Sequence, residues 1–493
     1  MKISIDKSSK VPVYLQIADQ IKAQIISGAL PRSSALPSER ALAQILDVHR
    51  NTVVKAYGEL KSDAWIESRQ GVGYLVASAS TEKEPVGESG EGVQMGRVNW
   101  VNEVADKYLD MEKTFDDLFQ RFTDESHFSL GSGVASREVY SSERVAHDIA
   151  GLLTGSGPSQ YFFSPYKGDR FLRQKLASFL ATKGVKASSG EIQILSETNQ
   201  ALDFIVTLLV KPGDSVVMEE PVHPDMYRVM ELAGARILTV PVDEDGMNCD
   251  VLESLLTQTR PRLIFVNSSF HDPTGCILSL ERRKKLVELS SRYRIPIVEE
   301  DAASELVYDG DKLPPIKAFD TTGNVIYIYS FSLTFIPGLS LAFVTGNRDF
   351  VRALSYLVSV RLMASDWMTQ KLLGMYLDDG SYYSSLATFR EIYSGNRDLV
   401  CQKLDALAHL GVRYERPRGG VYVWCRLPDG VDSKHFINRA YNMGVTLIPG
   451  HVFYPYKNGG RDYIRINYSY ESRERLACGM DVLHKALEEE LEE

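Results

Sequence analysis

The chain has no apolar run approaching the ~20 residues that cross a bilayer. Its opening segment, Met1-Lys2-Ile3-Ser4-Ile5-Asp6, lacks the long apolar stretch of a secretion signal. The five cysteines (Cys249, Cys276, Cys401, Cys425 and Cys478) are scattered, with no Cys-x-x-Cys spacing. That pattern points to neither a metal site nor a disulfide framework and fits a reducing compartment. No membrane association and a cytoplasmic location are expected. What is present is an ordinary globular composition, 44% hydrophobic and 24% charged. At 493 residues, two or three domains are expected.

Charge is unevenly distributed. Residues 1–76 carry ten Lys/Arg against seven Asp/Glu, so a +3 segment precedes a remainder of −13. A small basic unit on an acidic body suggests that only the N-terminal part meets a polyanion, although an excess of this size also arises by chance.

The local patterns of that unit are specific. Pro12 precedes a helical pattern with Ile17, Ile21 and Ile25 on one face, and Gly28 supplies a stop. Ser38 is placed to cap a short helix ending near Leu46. After a turn at Asp47-Val48, His49-Arg50-Asn51-Thr52 opens a further helix. Its Val53, Ala56, Tyr57 and Leu60 fall at helical spacing, which leaves Arg50, Asn51, Thr52 and Lys55 outward. Trp65 to Arg69 and Tyr74 to Val76 then flank Gln70-Gly71-Val72-Gly73 as a hairpin. Helix, helix–turn–helix and hairpin make the winged-helix plan, in which the second helix of the pair enters the major groove.

The stretches Leu36-Pro37-Ser38-Glu39-Arg40 and Arg50-Asn51-Thr52-Val53-x-x-Ala56-Tyr57, with the Gly71-Val72-Gly73 wing, closely resemble the DNA-binding domain of the GntR family. The resemblance implies contacts to double-stranded DNA by Ser38, Arg40, Arg50, Asn51, Thr52 and Lys55, and by the wing around Arg69 and Gly71. Two positions depart from the pattern. Asp47 stands for the usual turn Gly, and His49 stands for Ser, where it bears on which bases are read. A winged helix used for protein contacts is the weaker alternative.

Residues 77–100 are acidic and rich in Gly and Ser, the composition of a flexible tether, and Asp106 to Phe122 reads as a helix leading into the body. Beyond about residue 127, helical patterns alternate with short apolar runs such as Ser215–Met218, Leu263–Val266 and Ile297-Val298. This alternation indicates a parallel α/β sheet. A helix before Gly420–Trp424 and Tyr463–Asn467 suits a smaller α+β lobe. The expected fold is thus α/β, with a winged head over 1–76, a linker over 77–126 and a large body over 127–493.

The run from Ser330 to Leu341 looks like the cofactor-lysine loop of fold-type I pyridoxal-phosphate (PLP) enzymes, Ser-Phe-Ser-Lys-x-x-x-Pro-Gly-Leu-Arg. Nearly the whole chain resembles the MocR subfamily of GntR regulators, which join a winged helix to an aminotransferase-like body. Against that pattern Leu333 stands where the Schiff-base lysine belongs, and Ser340 where an arginine pairs with the phosphate. Phe163 replaces a Tyr that donates to the phosphate from the partner subunit. Glu197 precedes Thr198 and Asn199, which retain donors for a phosphate. His223 replaces the ring-stacking Tyr. Asp272 replaces the Asn that donates to the phenolate oxygen, and Ala302 replaces the Tyr that bonds it. The pyridinium partner falls on Glu300, or on Asp301 with a shift of register. Ser330 is retained, and Arg465 looks like the arginine for a substrate carboxylate.

Losing the amine and the phosphate cation removes the covalent link and charge-assisted bonds worth about 1.5–3 kcal/mol each. The resemblance therefore implies a DNA-binding transcription regulator, a homodimer with heads exchanged between subunits, and no enzymatic activity. No covalent cofactor is expected, and PLP only as a weak noncovalent ligand on Ser330, Thr198 and Asn199. The acidic pocket residues favour a cationic or amino-acid-like effector. Two further readings stand: a body that serves only for dimerisation, and a PLP-dependent aminotransferase with a vestigial head.

Overall fold

The computed structural model describes residues 3, 5, 12–26, 30–31, 34–46, 48–62, 65–69, 73–76, 121, 126–136, 138–155, 165–362 and 366–492. Gly28, Asp47, the wing tip at Gly71, the tether, Phe163 and, apart from Arg121, the lead-in helix lie outside the described residues. Contacts divide the chain into two compact units, Met1–Val98 and Asn99–Glu493.

The first unit is built on three helices, α1 (Val13–Ile26), α2 (Glu39–Leu46) and α3 (Arg50–Ser62), and a hairpin, β1 (Ile66–Arg69) with β2 (Gly73–Val76). The helices form where apolar residues recur at three- and four-residue steps. Ile17 and Ile21 of α1, Leu42 of α2, and Val53, Ala56, Tyr57 and Leu60 of α3 are buried together. Ser38 Oγ accepts from Ala41 N at 3.2 Å at the start of α2. Tyr57 Oη donates to Pro37 O at 2.8 Å, which ties α3 to the same turn. The hairpin pairs antiparallel from Ile66 with Val76 to Arg69 with Gly73.

The second unit holds an eight-stranded sheet. In chain order the elements are β3 (Phe128–Ser129), outside this sheet, then β4 (Ile192–Leu195), β5 (Ser215–Glu220), β6 (Arg236–Asp243), β7 (Gly246–Met247), β8 (Ile264–Asn267), β9 (Ile297–Asp301), β10 (Val325–Ser330) and β11 (Ala342–Thr345). The spatial order is β4-β11-β10-β9-β8-β5-β6-β7. The pairs from β10 through β9, β8 and β5 to β6 are all parallel. β11 runs against both its neighbours, and β7 against β6.

Helices cover both faces, which is why the strands read as unbroken apolar runs. Val216 and Met218 of β5 pack with Leu202 and Ile205 of the Thr198–Leu209 helix on one side. Val217, between them, packs with Leu286 and Leu289 of the Leu280–Tyr293 helix on the other. A smaller lobe follows the 25-residue helix Ser381–Asp405. Its strands β12 (Arg413–Tyr414), β13 (Tyr422–Arg426), β15 (Ile448–Pro449) and β16 (Tyr463–Asn467) form one antiparallel sheet, while β14 (Val445–Thr446) pairs with β3. The mainly parallel sheet and the separate α+β lobe are as the sequence implies. No helix among the described residues is long and apolar enough to cross a membrane.

Candidate DNA interface and body cavity

On the head, the N-terminal turn of α3 presents the candidate DNA contacts. Arg40, His49, Arg50, Asn51 and Lys55 are exposed, as is Ser38, and Thr52 is half-buried. Arg69 ends β1 beside the wing, and Gly71 is outside the described residues. The structure adds two features to this set. Arg50 is held by Glu39, whose Oε2 accepts from its Nε at 3.2 Å and from its Nη2 at 2.8 Å. Glu39 Oε1 also accepts from Tyr74 Oη of the wing. His49 Nδ1 accepts from Asn51 N at 3.2 Å. The ring thus supplies an acceptor at the start of α3. Sequence reasoning assigned His49 only to base selection; the cap is its structural part.

In the body, the C-terminal ends of the parallel strands place polar residues along one crevice, where α/β sheets bind ligands. A cavity of about 140 Å³ opens there. Its walls include Thr198, His223, Asn267, Ser269, Asp272, Glu300, Ser332, Leu333 and Tyr422. None of the described residues lining it is lysine or arginine. Thr198, His223, Asp272, Glu300 and Leu333 are therefore brought together as one site.

The remaining expected pocket residues are not in its wall. Glu197 is exposed at the start of the Thr198–Leu209 helix, without a side-chain cap bond. Asn199 donates to Asp225 at 3.2 Å. Ser330 Oγ donates to Ser332 Oγ at 3.1 Å, and Ser340 is half-buried just before β11.

Arg465 needs a correction. It reads from sequence as available to a ligand carboxylate, but its Nη1 donates to both oxygens of Asp272, at 2.6 and 2.7 Å. Its Nη2 donates to Gly131 O at 3.1 Å. The guanidinium lies over the Tyr422 ring at 4.1 Å and the Phe453 ring at 5.1 Å. Asp272 thus occupies the cation. Glu300 and Asp301 also differ in their surroundings: Glu300 lines the cavity and Asp301 is not among its described lining residues. Asp301 turns into the interior, where its Oδ2 accepts from Tyr327 Oη at 2.5 Å and lies 3.7 Å from Lys183 Nζ. Burial alone would raise the Asp301 carboxyl, but Lys183, Ser304 and Tyr327 outweigh it and hold it below the usual range.

Glu300 faces the opposite balance. It is register partner to Asn267 across β8 and β9, and Asn267 Nδ2 donates to its Oε2. Burial, then the neighbouring charges of Asp301 and Asp272, push its carboxyl up to about 8. Deeper in, burial raises Glu219 to about 8 as well, although Asn267 N donates to it at 2.7 Å. Burial lowers His271, 3.6 Å from Glu219, to about 4. Sequence reasoning missed Asn267, Glu219 and Lys183. Only the Glu219-Glu220 pair at the end of an apolar run gave a signal.

A stability consequence follows for Glu300. Its folded-state affinity for a proton exceeds that of the unfolded chain, so it contributes most below the ordinary carboxylic range and its contribution is lost as pH rises toward about 8. Thermal unfolding of the body is expected to fall over that window. Glu300→Gln should flatten the slope; an unchanged slope would place the titration elsewhere.

The chain's two units match two family models. Residues 13–76 match the bacterial regulatory proteins of the gntR family, and residues 125–481 match aminotransferase class I and II. The chain belongs to the class I and II aminotransferase family and carries a gntR-family DNA-binding domain ahead of it. Some relatives match along nearly the whole chain. It is 27% identical over 477 residues to the HTH-type transcriptional regulator YisV of Bacillus subtilis, with 96% of each chain covered. It is 28% identical over 458 residues to the probable rhizopine catabolism regulatory protein MocR of Rhizobium meliloti, covering 90% and 88%. The body alone is similar to solved aminotransferases. Pyrococcus horikoshii kynurenine aminotransferase superposes with a TM-score of 0.75 at 27% identity, over 80% of this chain and 98% of that one.

Proposed function

We propose that the chain is a cytoplasmic transcription regulator that binds double-stranded DNA as a homodimer and whose body senses a small molecule instead of transaminating. The head spans 1–76, the linker 77–126 and the body 127–493, and the heads are exchanged between subunits. The observation that carries this reading is the wall of the body cavity. Leu333, in the loop just after β10, presents a hydrocarbon there, and no lysine or arginine stands among the described lining residues.

PLP is a poor match to those walls. An aldehyde needs an amine, and a phosphate dianion needs a cation. The cavity offers neither, and it adds the carboxyl groups of Asp272 and Glu300. Arg465, the nearest cation to the cavity's Asp272, is already paired. PLP is therefore at most a weak noncovalent ligand, and the inactive-enzyme reading rests on the same groups.

The test uses the full chain. Incubated with PLP and treated with borohydride, it should gain no pyridoxyl mass, while retaining a cognate promoter fragment. That retention should weaken steeply with salt, by on the order of a thousandfold between 50 and 200 mM if about six phosphates are contacted. A pyridoxyl group fixed on a lysine of the body, or salt-independent retention, would contradict the proposal.

A further inference from the structure

Asn267 and Glu300 stand opposite each other at the ends of adjacent parallel strands. Glu300 is 7% exposed and lines the cavity, yet only its Oε2 receives a hydrogen bond, from Asn267 Nδ2. No described residue donates to its Oε1. Asn267 Oδ1 is likewise buried and without a partner. Neither Glu300 Oε1 nor Asn267 Oδ1 receives a donor from a described residue, in a wall whose described residues include no lysine or arginine. The complement is a group that brings several donors and positive charge, which is what an ammonium carries.

The rest of the wall limits what that ammonium can be attached to. Val222, Met226, Phe265, Phe270, Leu333 and Val421 supply an apolar surface. The space of about 140 Å³, open to solvent on one side, is close in volume to a cavity that holds one benzene. A carboxylate on the ligand would meet Asp272 and Glu300, and Arg465, which is bonded to this wall, already donates to both oxygens of Asp272. A carboxylate would have to displace a partner that the fold already holds in place.

From this geometry we infer that the cavity binds a small primary amine without a carboxylate, with its ammonium on Glu300 and Asn267 and a compact apolar tail against Leu333 and Phe270. This rests on the reading of the body as a sensing module and names the class of molecule sensed. It also narrows the effector expected from sequence, since an intact amino acid is excluded. Glu300 must ionise to hold the ammonium. The groups around it are Asp301 and Glu299 on its own strand, Asp272, Tyr422, Glu219 and Asn267. Burial, with the charges of Asp301, Asp272 and Glu299, outweighs the Asn267 hydrogen bond and keeps Glu300 neutral near pH 7, so binding releases a proton.

The experiment is isothermal titration of the full chain with isobutylamine, butylamine and benzylamine. Each is paired with the amino acid that differs only by the carboxylate: valine, norvaline and phenylglycine. At least one amine should bind saturably, at least tenfold more tightly than its amino acid, with heat that depends on the buffer's ionisation enthalpy. Glu300→Gln, which keeps size and shape, should weaken that amine at least tenfold. Equal or tighter binding of the amino acids, binding unchanged in Glu300→Gln, or no binding by any of the three amines would each overturn the inference. A chain that ignores all amines yet binds its promoter and takes up no pyridoxyl group would sink this inference alone; a fixed pyridoxyl group would sink the reading beneath it.

Discussion

Asp272→Ala should lower the unfolding free energy of the body by about 3 kcal/mol, the lower end of the 3–5 kcal/mol for breaking a buried ion pair. The Arg465 side chain is 2% exposed, whereas Asp272 retains some access to solvent at 16%. Removing the carboxylate strips the guanidinium of both hydrogen bonds from Nη1, and only the Gly131 carbonyl remains to accept from it. The aromatic rings above it are too weak a substitute, since cation–π contacts give about 0.5–2 kcal/mol and are already present in the parent chain. The double variant Asp272→Ala with Arg465→Met should recover most of the loss, because a buried pair replaced by apolar groups is often neutral. Calorimetry of the body transition in the parent, both single variants and the double variant checks this. A loss below about 1 kcal/mol, or a double variant no better than Asp272→Ala, would mean that the pair does not hold the lobe's β16 against the turn at Asp272.

Lys183→Met should cost as much or more, about 3–5 kcal/mol. The Lys183 side chain is wholly buried, with Glu305 at 2.7 Å and Asp301 at 3.7 Å. Its Nζ donates to Ser304 Oγ at 2.6 Å and lies 4.6 Å from the Tyr329 ring centre. Methionine fills a similar volume, so the loss reports charge and hydrogen bonding more than packing. Glu305 keeps Lys312 and Arg390 in the variant, but Asp301 keeps only neutral donors. The Asp301 carboxyl is held low in the parent, so its contribution is present above the ordinary carboxylic range and is lost as pH falls through its lowered value. In Lys183→Met that carboxyl rises and protonates readily. The difference between parent and variant should accordingly be larger at pH 7.5 than at pH 4.5. A difference that does not change with pH would assign Lys183 a packing role.

The two buried pairs divide what was readable from what was not. The head was legible because its evidence is local. The spacing of Val53, Ala56, Tyr57 and Leu60 and the cap at Ser38 involve residues within one turn or two of each other, and periodicity reports those directly. The sheet was legible because strands covered on both faces lose their alternation, as in Val216-Val217-Met218. The contents of the cavity were only half legible. Leu333, Asp272 and Glu300 could be placed by their motifs, but their charge states and partners could not.

From sequence, Asp272 read as a carboxylate facing a ligand and Arg465 as a cation awaiting one. They lie 193 residues apart, and pairing them occupies the cation while Asp272 stays in the cavity wall. Asp301 and Lys183 repeat the lesson across the sheet, where one turns the other away from the cavity. The amino-acid order by itself determined the two units, the winged head, the parallel body and the hydrocarbon at Leu333, because short-range periodicity and side-chain chemistry are written in adjacent residues. Which carboxyl faces the cavity, which is neutral and which cation is already taken were decided only by the tertiary structure, because Coulomb and desolvation energies depend on distances through space that chain spacing does not contain.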